Sequence, residues 1–111
     1  MTNYEFGAVV LVHFPQSGTT VKKQRPGIVV LDIGDADLVV GPVTSKQRQQ
    51  ARDVALNSLA GTGLIRPSWV RLAKVATLLK SDLVRTLGRL DDGDRQQVAH
   101  EWGQLYGSFV S

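Results

Sequence analysis

Cysteine is missing from all 111 residues, which removes disulfides, thiolate nucleophiles and cysteine-bound zinc together. Histidine is almost missing. With only His13 and His100, a histidine-rich metal cage cannot be assembled and no paired-histidine motif exists. The glycines do not fall into a phosphate-cradling loop, and no strand-turn-helix nucleophile elbow is present, so nucleotide hydrolases and metalloenzymes are disfavoured and no cofactor is expected. There is no apolar run long enough to cross a bilayer and no charged-then-apolar leader at the start. These absences lead to an expectation of a soluble protein in a reducing cytoplasm. At this length the expectation is one domain spanning 1–111, burying about 65% of its unfolded surface around a single core.

What is present is unevenly distributed. The net charge is only +3, but Lys22, Lys23, Arg25, Lys46, Arg48 and Arg52 fall within two short regions, while Asp91, Asp92, Asp94 and Glu101 gather near the C-terminus. Clustered cations point to an acidic partner. Arg25 precedes a proline, which biases it to an extended backbone and projects its guanidinium from a strand edge, a placement suited to phosphate.

The β-branched run Ala8–Phe14 predicts a strand ended by Pro15. A polar connection through Gly18 then leads to a basic loop at Lys22–Arg25. Pro26–Asp32 and Asp37–Thr44 predict two further strands joined by the turn at Ile33-Gly34-Asp35, and their antiparallel pairing would bring Arg25 beside Thr44 and Ser45. Ser45–Arg52 lacks an apolar stripe and reads as a solvated loop or short helix. Beyond it come a short strand at Asp53–Leu56, a loop at Ser58–Gly63, and one or two strands within Trp69–Leu79, divided near Ala73. A short helix is predicted over Ser81–Leu87, stopped by Gly88. The last helix is capped by Asp91 with Asp94 three residues on, and Val98, Trp102, Leu105 and Tyr106 form its apolar face.

Taken in order, Gly7-Ala8-Val9-Val10-Leu11-Val12-His13-Phe14-Pro15, Lys23-Gln24-Arg25-Pro26-Gly27-Ile28-Val29-Val30, Pro42-Val43-Thr44-Ser45, Gly63-Leu64-Ile65-Arg66-Pro67-Ser68-Trp69-Val70-Arg71-Leu72 and Leu87-Gly88-Arg89-Leu90 resemble the MazF/PemK-like toxins of type II toxin-antitoxin pairs, many of which are sequence-specific endoribonucleases. The resemblance implies an α+β, mainly β fold: an SH3-like twisted antiparallel barrel with a short helix and a C-terminal helix. It also implies a homodimer, single-stranded mRNA as substrate and inhibition by a cognate antitoxin. Two departures stand out. His13 takes the place of an aspartate at the end of the first strand, and Gly27 replaces the alanine that usually follows Arg-Pro.

In that family the arginine before the proline and the threonine or serine ending the third strand carry the cleavage chemistry. By resemblance the catalytic candidates are Arg25 and Thr44. Cleavage without a metal needs attack by the neighbouring 2′-hydroxyl, stabilisation of the gathering phosphate charge and protonation of the leaving 5′ oxygen. A planar guanidinium fits the second task, and a threonine hydroxyl can hold a phosphate oxygen. Lys22, Lys23, Gln24, Ser45, Lys46 and His13 are the candidate substrate contacts, with Arg48 tracking the backbone. His13 reads first as a structural strand residue, Ser45 as a loop cap or a contact, and the general base is left unassigned. The expected inhibitor presents an acidic, disordered segment to the basic loops. Two rival classes share these residues: a non-catalytic nucleic-acid-binding barrel, and gyrase-poisoning relatives of the same fold. Arg25 with Thr44 favours the nuclease, and Tyr106–Ser111 only weakly resembles the apolar chain end that the gyrase poisons depend on.

Overall fold

The computed structural model describes residues 2–15, 20–46 and 52–110, without the side chains of 108–110. The strands are β1 (Ala8–Pro15), β2 (Lys22–Leu31), β3 (Asp37–Thr44), β4 (Asp53–Ala55), β5 (Trp69–Arg71), β6 (Ala76–Leu79) and β7 (Leu83–Arg89), followed by helix α1 (Asp92–Val110). All recorded pairings are antiparallel, in the order β4-β5-β3-β2-β1-β7 with β6 also on β3.

β3 is where the sheet divides. One edge pairs with β2 from Gly27↔Pro42 to Leu31↔Val39. Along its other edge Asp37–Val40 pair with β6, and Val43–Thr44 then pair with Val70 and Trp69 of β5. Strand alternation sends neighbouring side chains to opposite faces, so the β-branched runs of β1 to β3 supply two cores. Val9, Ile28, Val30, Val43, Val70, Leu72 and Val98 are buried on one face, and Val10, Val12, Phe14, Val29, Leu38, Val40 and Leu78 on the other. This mainly antiparallel, barrel-like sheet with a C-terminal helix is the expected fold.

Several local expectations are corrected. The segment read as a basic loop, Lys22–Arg25, is the first part of β2, because pairing from Pro15↔Lys22 to Val12↔Arg25 satisfies its backbone whatever its side chains do. The helix expected at Ser81–Leu87 is a single 3-10 turn at Lys80–Asp82 followed by β7. Leu83, Val84 and Leu87 fit a helical face by spacing, but β1 offers a ladder of partners and Val84 points outward at 43% exposure. A 3-10 turn at Leu72–Lys74 divides β5 from β6 at the expected place. Residues 47–51, and with them Arg48, lie outside the described residues.

Helix α1 starts as expected, with Asp94 N–H donating to Asp91 Oδ1 at 2.8 Å. Asp94 itself is 1% exposed. Its carboxylate receives Asn57 N–H at 3.0 Å and Ser58 N–H at 2.9 Å, tying the helix to the loop after β4. Val98 is buried, and Trp102 and Leu105 pack against the same core, but Tyr106 remains 62% exposed instead of completing the packed face. Among the described residues no helix is long and apolar enough to cross a membrane.

Candidate functional site

Arg25 lies half-buried on β2, opposite Val12 of β1. Continuing the Gly27↔Pro42 register by two residues sets Arg25 opposite Thr44, and alternation puts both on the face shared by Gly27 and Pro42. The β2–β3 ladder nevertheless stops at Gly27↔Pro42, because Val43 and Thr44 turn away to β5. The two side chains therefore lie on one face just beyond the last β2–β3 pair. Among the described residues no hydrogen bond joins them.

Gly27 helps to shape this edge. A Cβ there would collide with the Val40 side chain and come within 3.2 Å of the Gly41 carbonyl oxygen. The glycine thus lets the Val40 side chain and the Gly41 carbonyl pack closely against β2.

Thr44 Oγ1 accepts Lys46 N–H at 3.2 Å. The loop-capping role weighed for Ser45 is carried by its neighbour. This bond fixes the threonine hydroxyl as an acceptor toward its own loop and leaves its proton to be donated outward. Ser45 and Lys46 are exposed just beyond it.

The other candidates divide by phase. Lys23, opposite Phe14, shares the Arg25 face, whereas Gln24, opposite His13, lies with Lys22 on the other. Lys22 is not a free cation, since its Nζ lies 3.1 Å from Asp82 Oδ1. His13 is half-buried on the Gln24 face, one position removed from the Arg25–Thr44 face.

On that second face the structure adds residues that the sequence did not single out. A cleft of about 390 Å³ is lined by Leu11, Pro26, Val43, Ser45, Leu64, Arg66, Ser68, Arg85 and Leu87, among others. Arg66 and Arg85 are both exposed, and neither takes part in a salt bridge among the described residues. They are 19 positions apart in sequence (85 minus 66), so only the loop that folds over β7 brings them to one cleft. Among the described residues no group of three His, Asp or Glu side chains is placed to hold a metal ion.

The model of the PemK-like, MazF-like toxins of type II toxin-antitoxin systems matches residues 5–105. The chain belongs to that toxin family. Similar solved structures include the Mycobacterium tuberculosis toxin MazF-mt6, at 22% identity and a TM-score of 0.68 over 88% of this chain and 96% of that one. MazF from Deinococcus radiodurans is similar at 21% identity and a TM-score of 0.75, covering 96% of this chain and 99% of its own. An endoribonuclease from a mycobacterial species, solved with its cognate antitoxin, matches at 20% identity and a TM-score of 0.72 over 92% and 93% of the two chains. No curated protein matches the chain in sequence. At such identities the structural likeness establishes the MazF-type fold, and activity has to be argued from the residues.

Proposed function

We propose that this MazF/PemK-family toxin is a metal-independent, sequence-specific endoribonuclease that cuts single-stranded mRNA. The observation that carries the reading is the placement of Arg25 and Thr44 by register on one face, just beyond the last β2–β3 pair, Gly27↔Pro42. An RNA phosphate at that edge meets a planar cationic donor from one strand and a hydroxyl donor from the other.

In the reaction the ribose 2′-oxygen attacks the adjacent phosphorus and loses its proton to a base. The bond from phosphorus to the 5′ oxygen of the next nucleotide breaks, and that oxygen takes a proton. Arg25 stabilises the extra negative charge on the non-bridging oxygens, where a preformed donor acts most strongly. Thr44 orients one of those oxygens. Lys23 and Lys46 attract the backbone on either side.

The exposed apolar residues Leu31, Ile33, Ile65, Leu79, Val84 and Tyr106 support a homodimer as the working form. The uncompensated cations of the β2 and β3 ends support inhibition by an acidic, disordered antitoxin segment that folds across them.

The test is to incubate the purified protein with a long single-stranded RNA in the presence of chelator and to map the new ends. The upstream product should carry a 2′,3′-cyclic phosphate, and a deoxyribose on the 5′ side of the cut should abolish cleavage. Cleavage that tolerates that deoxyribose would overturn the mechanism.

A further inference from the structure

A second, smaller cleft lies where the chain enters β1 and where β7 gives way to α1. It encloses about 170 Å³, and its lining includes Glu5, Phe6, Gly7, Arg89, Asp92 and Arg95. It shares no lining residue with the larger cleft. The Ala8↔Arg89 pair sets Arg89 at its edge. Ala8 and Val12, the partner of Arg25, are four positions apart (12 minus 8), which is about 13 Å along an extended strand. The cleft is therefore separate from the Arg25–Thr44 edge.

Its walls are held by the backbone. Gly7 N–H donates to the Val29 carbonyl, Leu90 N–H to the Gly7 carbonyl and Arg89 N–H to the Gly61 carbonyl, each at 2.9 Å. Gly7 has φ +91°, a conformation that glycine takes without a steric penalty. A Cβ there would sit 3.3 Å from Cγ and Cδ of Arg95, so the Arg95 stem lies close along the Gly7 backbone. Arg95 Nε donates to the Phe6 carbonyl at 3.2 Å, and its guanidinium carbon is 5.7 Å from the centre of the Phe6 ring. One N–H thus fixes the side chain, while the terminal amino groups make no hydrogen bond among the described residues.

Two guanidiniums and two carboxylates line this cleft, all on exposed residues. None of the four enters a salt bridge among the described residues. Their charges sum to zero, so the cleft does not gather anions through its field. It offers planar donors beside acceptors. A guanidinium fork binds phosphate oxygens, and a carboxylate accepts a ribose hydroxyl. The carboxylates repel the second charge of a phosphate monoester, whereas a phosphodiester carries only one. The volume is below the roughly 300–1,000 Å³ of small-molecule sites, which suits a fragment of a polynucleotide.

We propose that this cleft binds a ribose phosphodiester, with Arg89 and Arg95 on the phosphate and Glu5 and Asp92 on ribose hydroxyls. The unit arrives either within an RNA strand held at the Arg25–Thr44 edge or as a free short oligonucleotide. The inference rests on the RNA-binding part of the proposed function and not on its chemical step.

The experiment titrates the isotope-labelled full chain with adenylyl-adenosine, a single ribose phosphodiester, whose intactness is checked by chromatography. The amide resonances of Gly7, Arg89 and Asp92 should shift and saturate. The deoxy dinucleotide and inorganic phosphate should each bind about fivefold or more weakly, as should adenylyl-adenosine to Arg89→Ala and to Glu5→Gln. The Arg89 and Glu5 side chains are exposed and make no hydrogen bond among the described residues, so circular dichroism should report an unchanged fold. A second arm measures cleavage of a long RNA and of one trimmed to the few nucleotides around the cut. If the occupant is the RNA strand, Arg89→Ala raises KM for the long substrate about fivefold with kcat and the short substrate unchanged. If it is a free oligonucleotide, both substrates are cut as by the wild type and the resonance shifts remain. Absence of saturable shifts at those amides would overturn the site, as would equal affinity for the deoxy dinucleotide or for inorganic phosphate. Ribose-dependent shifts in a wild type that cuts no RNA would keep the site and sink the nuclease reading.

Discussion

Acidic and basic side chains in this chain are put to opposite uses. Asp32 accepts Tyr4 N–H and Gly34 N–H, Asp35 accepts Asp37 N–H, Asp91 accepts Asp94 N–H, and Asp94 accepts the amides of Asn57 and Ser58. Asp53, Asp82 and Glu101 pair with Arg71, Lys22 and Arg52. By contrast Lys23, Arg25, Lys46, Arg66 and Arg85 enter none of the salt bridges among the described residues. With 13 basic and 10 acidic residues the overall excess is small. Most of the anions are thus engaged as turn, cap or ion-pair acceptors, whereas these five cations are not matched by a carboxylate.

The largest expected effect removes one of these cations. Arg25→Ala should lower the RNA cleavage rate about a hundredfold or more, as expected for loss of a donor aimed at developing charge, with the unfolding midpoint little changed. Arg25→Lys should recover only part of the rate, because an ammonium lacks the planar fork. Single-turnover cleavage of a defined oligonucleotide measures both, and a wild-type rate in Arg25→Ala would remove Arg25 from the chemistry.

The second prediction removes an anion. Asp94→Ala leaves the Asn57 and Ser58 amides without their carboxylate, and hydrogen bonds to a charged, buried acceptor contribute about 1.5–3 kcal/mol. Urea unfolding should therefore show a loss of about 3 kcal/mol, with the cleavage rate of the remaining folded protein nearly unchanged. A loss below about 1 kcal/mol would show that the loop after β4 holds its place without the helix. Gly27→Ala tests the scaffold between these regions. Its new methyl meets Val40, and overpacking of this kind costs about 1–3 kcal/mol.

These residues also show what could be read in advance. β1, the apolar part of β2, β3 and the cap of α1 follow from local pattern, so the sequence alone locates Arg25 and Thr44 near one another. Lys22–Arg25 is polar, and its strand character comes from pairing with β1, which periodicity does not record. In β7, Leu83, Val84 and Leu87 satisfy two periods at once, and the tertiary partner decides. Asp94 looks like an ordinary first-turn acid, but its main partners, Asn57 and Ser58, are more than 30 residues away. Arg66 and Arg85 were hidden for the same reason, since their shared cleft depends on Gly61 and Gly63 folding the loop onto β7.

Asp32 provides a smaller test through pH. The Tyr4 amide, then the Gly34 amide and the nearby Lys80 ammonium, hold its carboxyl below the ordinary 3.8. The folded state therefore binds this proton less readily than the unfolded chain. The resulting stability is complete above the unfolded-state value and is lost as the pH falls through it toward the folded-state value. Asp32→Asn should flatten the part of the acid limb below about pH 4, measured as unfolding midpoints at stepped pH. An unaltered acid limb would mean that other carboxylates set it.

The smallest expected effect separates two adjacent lysines. Lys22 is held 3.1 Å from Asp82 Oδ1, but its side chain is 50% exposed, and an ion pair so open to water contributes only a few tenths of a kcal/mol. Lys22→Ala and Asp82→Ala should therefore each move stability by less than about 0.5 kcal/mol. Their value lies in RNA binding, where each phosphate neutralised on a single strand adds about 0.7 to the slope of log affinity against log salt. Lys22 is compensated by Asp82 and Lys23 is not. Lys23→Ala should reduce the slope by about 0.7, Lys22→Ala should leave it almost unchanged, and Asp82→Ala should steepen it by releasing Lys22. Measured on Arg25→Ala protein with RNA carrying deoxyribose at the cut, so that cleavage does not interfere with the titration, equal slopes for the two lysine variants would show that pairing within the fold does not decide which cations meet the RNA.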